Sequence, residues 1–471
     1  MIPQPSTPDD LESGSGATQA ADAALDPASS TETKGRRTLV GRLLRNHKTW
    51  LLLILLAAVV LRFAWSLYVE CDPRDVWRWD MTIYDYHADR IAAGAGFIDW
   101  VGAPSAHWPP GYPAALAPIY KLTDSSLLAA RLFNASLSSF AVLLTYLIGA
   151  RVFGRGAGLA GALVLAFFPN QIMFNSLTMT EPLFAALFSL ILLLTLHLLL
   201  GRSPPRLWQA ALVGIAIGAT ALVRGEVLLL FAVIAPVLFL RWRSWKGVAG
   251  SVLGLTLGMA VVIAPWTVRN TIKMHEPLLI STSAAEALWV GHHEGADGRI
   301  ADFSPIYDRY ESLPNPEKEV KIYNAAMRAS LEYMRENPLA DLKLIPQKLL
   351  ALYETDGSAI RWMQLGALTV THDNGIRLRA ISNIYYWLAL AVGVLGVRSW
   401  FSLRDPSKAL LVAMLLYWSF IFGFVFFGDQ RFHFALVPVF SIWAGASIVA
   451  GGRLVLRRWR SLRLKPAAAV E

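Results

Sequence analysis

Ten apolar blocks, most of them near the ~20 residues a helix needs to cross bilayer hydrocarbon, dominate this sequence. They run over 51–69, 127–150, 157–174, 182–200, 207–223, 227–240, 247–268, 384–401, 409–427 and 434–451. The block at 227–240 is short for a span, and the apolar stretch at 113–122 is shorter still. Composition agrees: 55% of residues are hydrophobic and 16% charged, against roughly 45–50% and 25% in soluble chains. A set of soluble domains is excluded, and the expected fold is an all-α polytopic membrane protein of about ten transmembrane helices. The single cysteine, Cys71, excludes an internal disulfide framework and a Cys-based metal site.

The formal charge of +9 has meaning only once it is located. With a cytoplasmic N-terminus, the inner segments 34–48, 151–156, 202–206, 241–246, 398–408 and 453–465 hold 22 of the 43 Lys and Arg, while 26 of the 34 carboxylates fall outside. That is the positive-inside pattern. It predicts both termini in the cytoplasm and reads the charge as an orientation signal, with no nucleic-acid partner. The Arg-rich tail (Arg457, Arg458, Arg460, Arg463) is also suited to a lipid surface.

The expected organisation follows. Residues 1–48 form a tail, too polar to order itself, ending in a basic run; residues 49–268 form an N-terminal transmembrane module with a first outer loop at 70–126. Residues 269–383 form a mainly helical or mixed extracytoplasmic loop domain, 384–452 the C-terminal transmembrane helices, and 453–471 a basic cytoplasmic tail. Within the loops, helices are expected over 83–93, stopping at Gly94, over 317–335 and over 341–352, with a turn at Pro109-Pro110-Gly111-Tyr112-Pro113.

The polar landmarks fall at the outer ends of the blocks: Asp80 and Asp85, Thr180-Glu181, Arg224 with Glu226, Arg269-Asn270, and Arg431. Ionisable groups beside hydrocarbon are expensive, so their gathering on one face marks a functional site. A carboxylate accepts a proton, while the planar arginine fork matches phosphate. Each residue also has a structural reading. Asp80 suits an interfacial loop, Glu181 a helix N-terminus, Arg62 a side chain snorkelling from the first helix, and Arg224 with Glu226 a simple ion pair. His292-His293 alone is a weak metal signal.

The segment Asp80-Met-Thr-Ile-Tyr84-Asp-Tyr-His-Ala88 through Gly94-Ala-Gly96-Phe97 has the D-x3-Y-x3-A-x5-G-x-G-F rhythm of the first outer loop of bacterial GT-C glycosyltransferases, and resembles glycosyltransferase family 39 in particular. The likeness continues in order through Pro109–Pro113, Arg131-Leu-Phe-Asn134, Thr180-Glu181-Pro182, Pro265-Trp266-Thr-Val-Arg269-Asn270, Ser281-Thr282 with Leu288-Trp289-Val-Gly291, Glu336-Asn337-Pro338 before Lys348-Leu349, and Arg431-Phe-His-Phe-Ala-Leu-Val-Pro438. The sequence departs from the family at His292-His293, where Asn-Asn is usual, and at Phe432, where Tyr is usual. Related proteins include protein mannosyltransferases and lipid A aminoarabinose transferases.

The resemblance implies a multi-pass enzyme of the bacterial inner membrane that moves a sugar, with inversion, from a polyprenyl-phosphate carrier to a glycan, glycolipid or protein acceptor on the extracytoplasmic face. It implies Asp80 as general base with Glu181 in the same cavity, and Arg269, Arg431, Arg62 and Arg224 as holders of the donor phosphate. Tyr84, Asp85, His107, Tyr112, Asn270, Trp289 and His292 are the expected substrate-binding residues. A divalent metal ion is left open, since some relatives use one and others do not. Two other functions fit the same chain: a lipid-linked sugar flippase, and a ligase or polymerase using a diphosphate-linked oligosaccharide. Transporters tend to carry internal halves and interrupted helices with a midplane site; the polar groups here collect at one outer edge.

Overall fold

A computed structural model describes residues 46–75, 80–301, 303–366 and 369–463, with backbone alone at 75 and 460–463. The disordered tail expected at 1–48 lies almost entirely outside the described residues, as does the end of the basic C-terminal tail. The described chain is helical, and its β pairing is one isolated bridge, Ile98 with Pro104.

In chain order the helices are α1 (His47–Tyr68), α2 (Asp80–Ala92), α3 (Gly111–Thr123), α4 (Leu127–Phe153), α5 (Arg155–Ala166), α6 (Pro169–Met173), α7 (Glu181–Leu199), α8 (Leu207–Val223), α9 (Leu230–Trp242) and α10 (Trp245–Met274). There follow α11 (Ser283–Gly291), α12 (Ser304–Tyr307), α13 (Glu317–Glu336), α14 (Pro338–Lys343), α15 (Ile345–Tyr353), α16 (Ser358–Gly366), α17 (His372–Leu395), α18 (Val397–Trp400), α19 (Pro406–Phe420) and α20 (Val437–Arg463).

Among the described residues, eight helices are long and apolar enough to cross a membrane, or nine if one bent pair counts as a span. The expected ten blocks are all present as helices, with three differences. The block at 157–174 is α5 plus Pro169–Ser176, bent by 60°, because Pro169 lacks the N–H that would continue the ladder. The block at 207–223 is α8, 17 residues long. α17 begins at His372, 12 residues before the expected 384, because its first turns are polar and hydropathy alone does not register them. The expected helix at 341–352 is split at Leu344 into α14 and α15, with Pro346 in the first turn of α15.

Small residues let elements approach closely. α8 packs along α10, and a Cβ on Gly214 would lie 2.1 Å from the Leu255 carbonyl oxygen, one on Gly258 2.1 Å from that of Ala211. Gly254 and Gly258 thus form a small-xxx-small seam on α10, the pattern that lets membrane helices gain backbone contact where apolar burial offers no drive. The expected Pro-rich turn is instead the start of α3, seated against α8: a Cβ on Gly111 would sit 2.7 Å from the backbone of Leu222 and Val223. This contact carries the first loop across to the end of α8, where Arg224 follows.

Candidate active site

Four segments remote in sequence bring charge to one point. Asp80 opens α2 and Glu181 opens α7. Arg224 follows the last residue of α8, and Arg431 precedes a 3-10 turn, Phe432–Leu436, that leads into α20. The Arg431 guanidinium donates through Nη1 to Asp80 Oδ2 and through Nε to Glu181 Oε1. Arg224 donates to the same Glu181 oxygen at 3.2 Å and, through Nη2, to Glu226 Oε1 at 2.9 Å. The result is a chain of alternating charge: Asp80, Arg431, Glu181, Arg224, Glu226. Three carboxylates face two guanidinium groups, a formal excess of one negative charge. An anion entering here has to displace a carboxylate from an arginine rather than fill an empty cationic pocket.

Aromatic rings floor the network. The Arg431 guanidinium carbon lies 5.2 Å from the Trp362 ring centre, and that of Arg224 lies 5.5 Å from Phe184 and 5.2 Å from Phe432. Rings in these positions favour a cation without competing for its N–H donors. Phe432, where the resembling family has Tyr, thus contributes a face and no hydroxyl. Tyr84 is buried one turn along α2 from Asp80, edge-on to Trp108 at 5.8 Å and to Tyr112 at 5.7 Å. Burial, with Asp80 adding to it, holds its phenol protonated, well above the usual range. The Asp80 side chain keeps 17% exposure and that of Glu181 2%, so Asp80 is the more accessible carboxylate of the two.

The other expected site residues are placed elsewhere. Arg62 is fully buried and donates to Ser138 Oγ (2.8 Å) and to the carbonyls of Ala58 (3.3 Å), Leu165 (3.0 Å) and Ala166 (2.9 Å). Both carbonyls lie where α5 breaks; that of Leu165 also accepts from the Phe168 N–H at 3.2 Å, and that of Ala166 takes the guanidinium, so Arg62 caps the break. The expectation of phosphate contact at Arg62 gives way to this, because its fully buried guanidinium is already spent on backbone carbonyls and the Ser138 hydroxyl. Arg269 donates to the carbonyls of Ser105 (2.7 Å) and Phe97 (2.5 Å), and Asn270 to those of Leu278 and Ile280 (both 3.2 Å), which ties the first loop and the 278–280 turn to the end of α10.

Asp85 accepts from Arg74 (3.0 Å) and Tyr120 (2.5 Å), bracing α2 against its neighbours. Tyr112 is fully buried and bonded to Asn134. Trp289 is buried and stacked on His293 at 4.3 Å, and His292 is fully buried between Asp341 (2.7 Å) and the Val425 carbonyl (3.1 Å). These contacts put Tyr112, Asn270, Trp289 and His292 into packing. His107 faces Glu286 at 3.4 Å, and Tyr307 donates to that same carboxylate at 2.7 Å. Burial raises the Glu286 carboxyl above its ordinary range, with His107 and the Tyr307 bond opposing the rise.

Among the described residues, no three His, Cys, Asp or Glu stand in metal-holding geometry. Asp80 and Glu181 already share a cation, the Arg431 guanidinium, and as placed they offer a metal no third ligand. Sequence reasoning noticed Glu226 only as a partner of Arg224 and passed over Trp362, whose position in a loop helix carries no signal of its own.

Residues 107–268 match the family described as dolichyl-phosphate-mannose-protein mannosyltransferase. No curated protein matches the chain. Among solved structures, the archaeal oligosaccharyltransferase AglB from Archaeoglobus fulgidus, in complex with an inhibitory peptide and a dolichol-phosphate, superposes with TM-score 0.52 at 13% identity, over 90% of this chain and 52% of that one. The same enzyme tethered to an acceptor peptide gives 0.51 at 14% identity, over 88% and 50%. ArnT from Cupriavidus metallidurans bound to undecaprenyl phosphate gives 0.41 at 15% identity, over 86% and 78%. The chain spans about half the length of the oligosaccharyltransferase structures, and at these identities the likeness to them is one of fold. The chain is thus similar in fold to the oligosaccharyltransferase and, over residues 107–268, in sequence to the mannosyltransferase family.

Proposed function

We propose that the chain moves a sugar, with inversion, from a polyprenyl-phosphate carrier to a hydroxyl-bearing glycan, glycolipid or protein acceptor on the extracytoplasmic face of a bacterial inner membrane. Asp80 is the base. The carrying observation is Arg431, one guanidinium bridging Asp80 and Glu181 at a point where four distant segments meet.

The chemistry follows from that bridge. The donor phosphate competes with Asp80 for Arg431; once it takes the guanidinium, the Asp80 carboxylate is free to draw the proton from the acceptor hydroxyl. That oxygen attacks the anomeric carbon from the face opposite the phosphate through an oxocarbenium-like state, as in inverting hydrolysis with the acceptor in place of water. The carbon–oxygen bond to phosphate breaks, and the lipid phosphate leaves as a monoester dianion, needing cationic stabilisation rather than a proton. Arg431 and Arg224 supply it, while Glu181 and Glu226 hold the two arginines in place. Donor binding and release of the base are thus one event, so the donor binds before the acceptor reacts.

The rival flippase reading would place transport at an interrupted helix. The break between α5 and α6 is occupied by the Arg62 guanidinium, which donates to the Leu165 and Ala166 carbonyls there. Asp80→Asn in purified protein, assayed with a polyprenyl-phosphate sugar and an acceptor, is expected to lower turnover by ~10²–10⁴, the usual worth of a general base, with the melting temperature near that of the wild type. Turnover within threefold of wild type would rule Asp80 out as base.

A further inference from the structure

Arg431 sits on a short segment whose backbone is fixed from several sides. Asp429 Oδ1 accepts the Arg431 N–H at 2.8 Å, and Gln430 Oε1 accepts from Thr355 Oγ1 and the Gly357 N–H, both at 2.9 Å. The Phe432 carbonyl accepts from Trp418 Nε1 at 2.8 Å, and that of Phe434 from Gln171 Nε2 at 3.0 Å. Inside this clamp lies a second charged pair that the proposed chemistry does not use: His433 and Asp356, both fully buried, with Nε2 and Oδ1 3.1 Å apart.

Hydrogen-bond logic fixes the proton count of the pair. His433 Nδ1 lies 2.6 Å from the Leu352 carbonyl, which can only accept, so Nδ1 carries a hydrogen. One further proton then lies between Nε2 and Oδ1, and the pair is electroneutral whichever atom holds it. Asn170 Nδ2 donates to the same Oδ1 at 2.5 Å, with its own oxygen taken by the Ala359 N–H at 3.1 Å. The imidazole stacks on Tyr386 at 4.9 Å between ring centres and on Tyr353 at 6.3 Å.

Burying such a pair carries a desolvation cost that mutual attraction only partly returns, so it is poorly explained as a source of stability. Its connections suggest another use. Asp356 lies two residues before α16, the helix that carries Trp362, and its N–H and carbonyl are tied to Asn383 (2.8 Å) and Ser382 of α17. His433 lies two residues after Arg431. The pair thus links the element bearing the ring under Arg431 to the element bearing Arg431 itself, and Asn170 links both to the broken α5–α6 span.

We propose that Asp356 and His433 are positioning residues for Arg431, setting where its guanidinium stands between Asp80, Glu181 and an incoming phosphate. This rests on Arg431 as the holder of the donor phosphate, and the test separates the two ideas. Undecaprenyl phosphate is titrated into purified full-length protein, wild type, His433→Gln, Arg431→Ala and the double variant, with melting temperature recorded alongside. Positioning predicts a tenfold or greater loss of affinity in His433→Gln, a comparable or greater loss in Arg431→Ala, and less than a twofold further loss when His433→Gln is added to Arg431→Ala, because the residue through which it acts is gone. Losses that multiply independently in the double variant, or a His433→Gln protein that melts earlier yet binds as wild type, overturn the positioning role. An Arg431→Ala protein that binds as wild type overturns both ideas. If His433→Gln does not fold, Asn170→Ser carries the same cycle, since it removes one donor from Asp356 and leaves the imidazole pair intact.

Discussion

Replacing Arg62 by Met decides between a phosphate ligand and a structural cap. The thioether keeps much of the side chain's length and apolar bulk while removing every donor. Three partners outside α1 lose their hydrogen bonds: the carbonyls of Leu165 and Ala166 and the hydroxyl of Ser138, which stood 2.8–3.0 Å from the guanidinium. Ser138 can still donate to the Gln171 carbonyl at 3.2 Å, and the Leu165 carbonyl still accepts from the Phe168 N–H at 3.2 Å, so the net orphan is the Ala166 carbonyl at the break. A buried polar group left without a partner costs ~1–3 kcal/mol. In membrane proteins measured interhelical bonds average lower, about 0.6 kcal/mol, which favours the lower half of that span. Relief from burying an isolated cation works the same way, and a loss of ~1–2 kcal/mol is expected for one orphaned carbonyl. The assay is thermal unfolding in detergent, paired with titration of undecaprenyl phosphate at a temperature where the variant is folded. A cap predicts a melting temperature lowered by several degrees and lipid-phosphate affinity within twofold of wild type. A variant that melts like the wild type but loses tenfold or more in affinity would refute the cap and restore Arg62 as a phosphate ligand.

Two further predictions concern packing and protonation. Gly258→Ala puts a methyl 2.1 Å from the Ala211 carbonyl oxygen and must push α8 from α10, while Gly250→Ala on the same helix enters open space; overpacking of this kind costs ~1–3 kcal/mol, so detergent melting is expected to separate the two variants clearly, with Gly250→Ala at or above wild type. Burial lowers the Lys348 ammonium from 10.5 to about 8, with Asp341 opposing the fall. Between about pH 8 and 10.5 the unfolded chain therefore holds a proton that the folded chain has lost, and this residue's contribution to stability rises with pH across that window. Melting profiles of wild type and Lys348→Met are expected to converge as pH climbs through it, and parallel profiles would contradict the assignment.

The sequence by itself determined the helical membrane fold, because a bilayer leaves the backbone no water to bond to and every span must satisfy its own N–H and C=O groups. Block lengths and hydropathy then suffice, and the miscounts fell where hydropathy is silent: at the proline break after α5, and in the polar first turns of α17. Asp80, Glu181, Arg224 and Arg431 were legible as a set because ionisable groups at the ends of apolar blocks are costly enough to need a reason. Which arginine meets which carboxylate was not legible. Arg62 and Arg431 look alike in a linear string, yet one lies beside backbone carbonyls at a helix break and the other between two carboxylates, and only the packing of helices 100 to 350 residues apart in the chain chooses between those neighbours. The same holds for Tyr112 and His292, whose polar atoms are claimed by partners from other segments. The pairing of His433 with Asp356 carries no local pattern at all: electrostatic interaction falls off with distance in space, and sequence separation does not encode that distance.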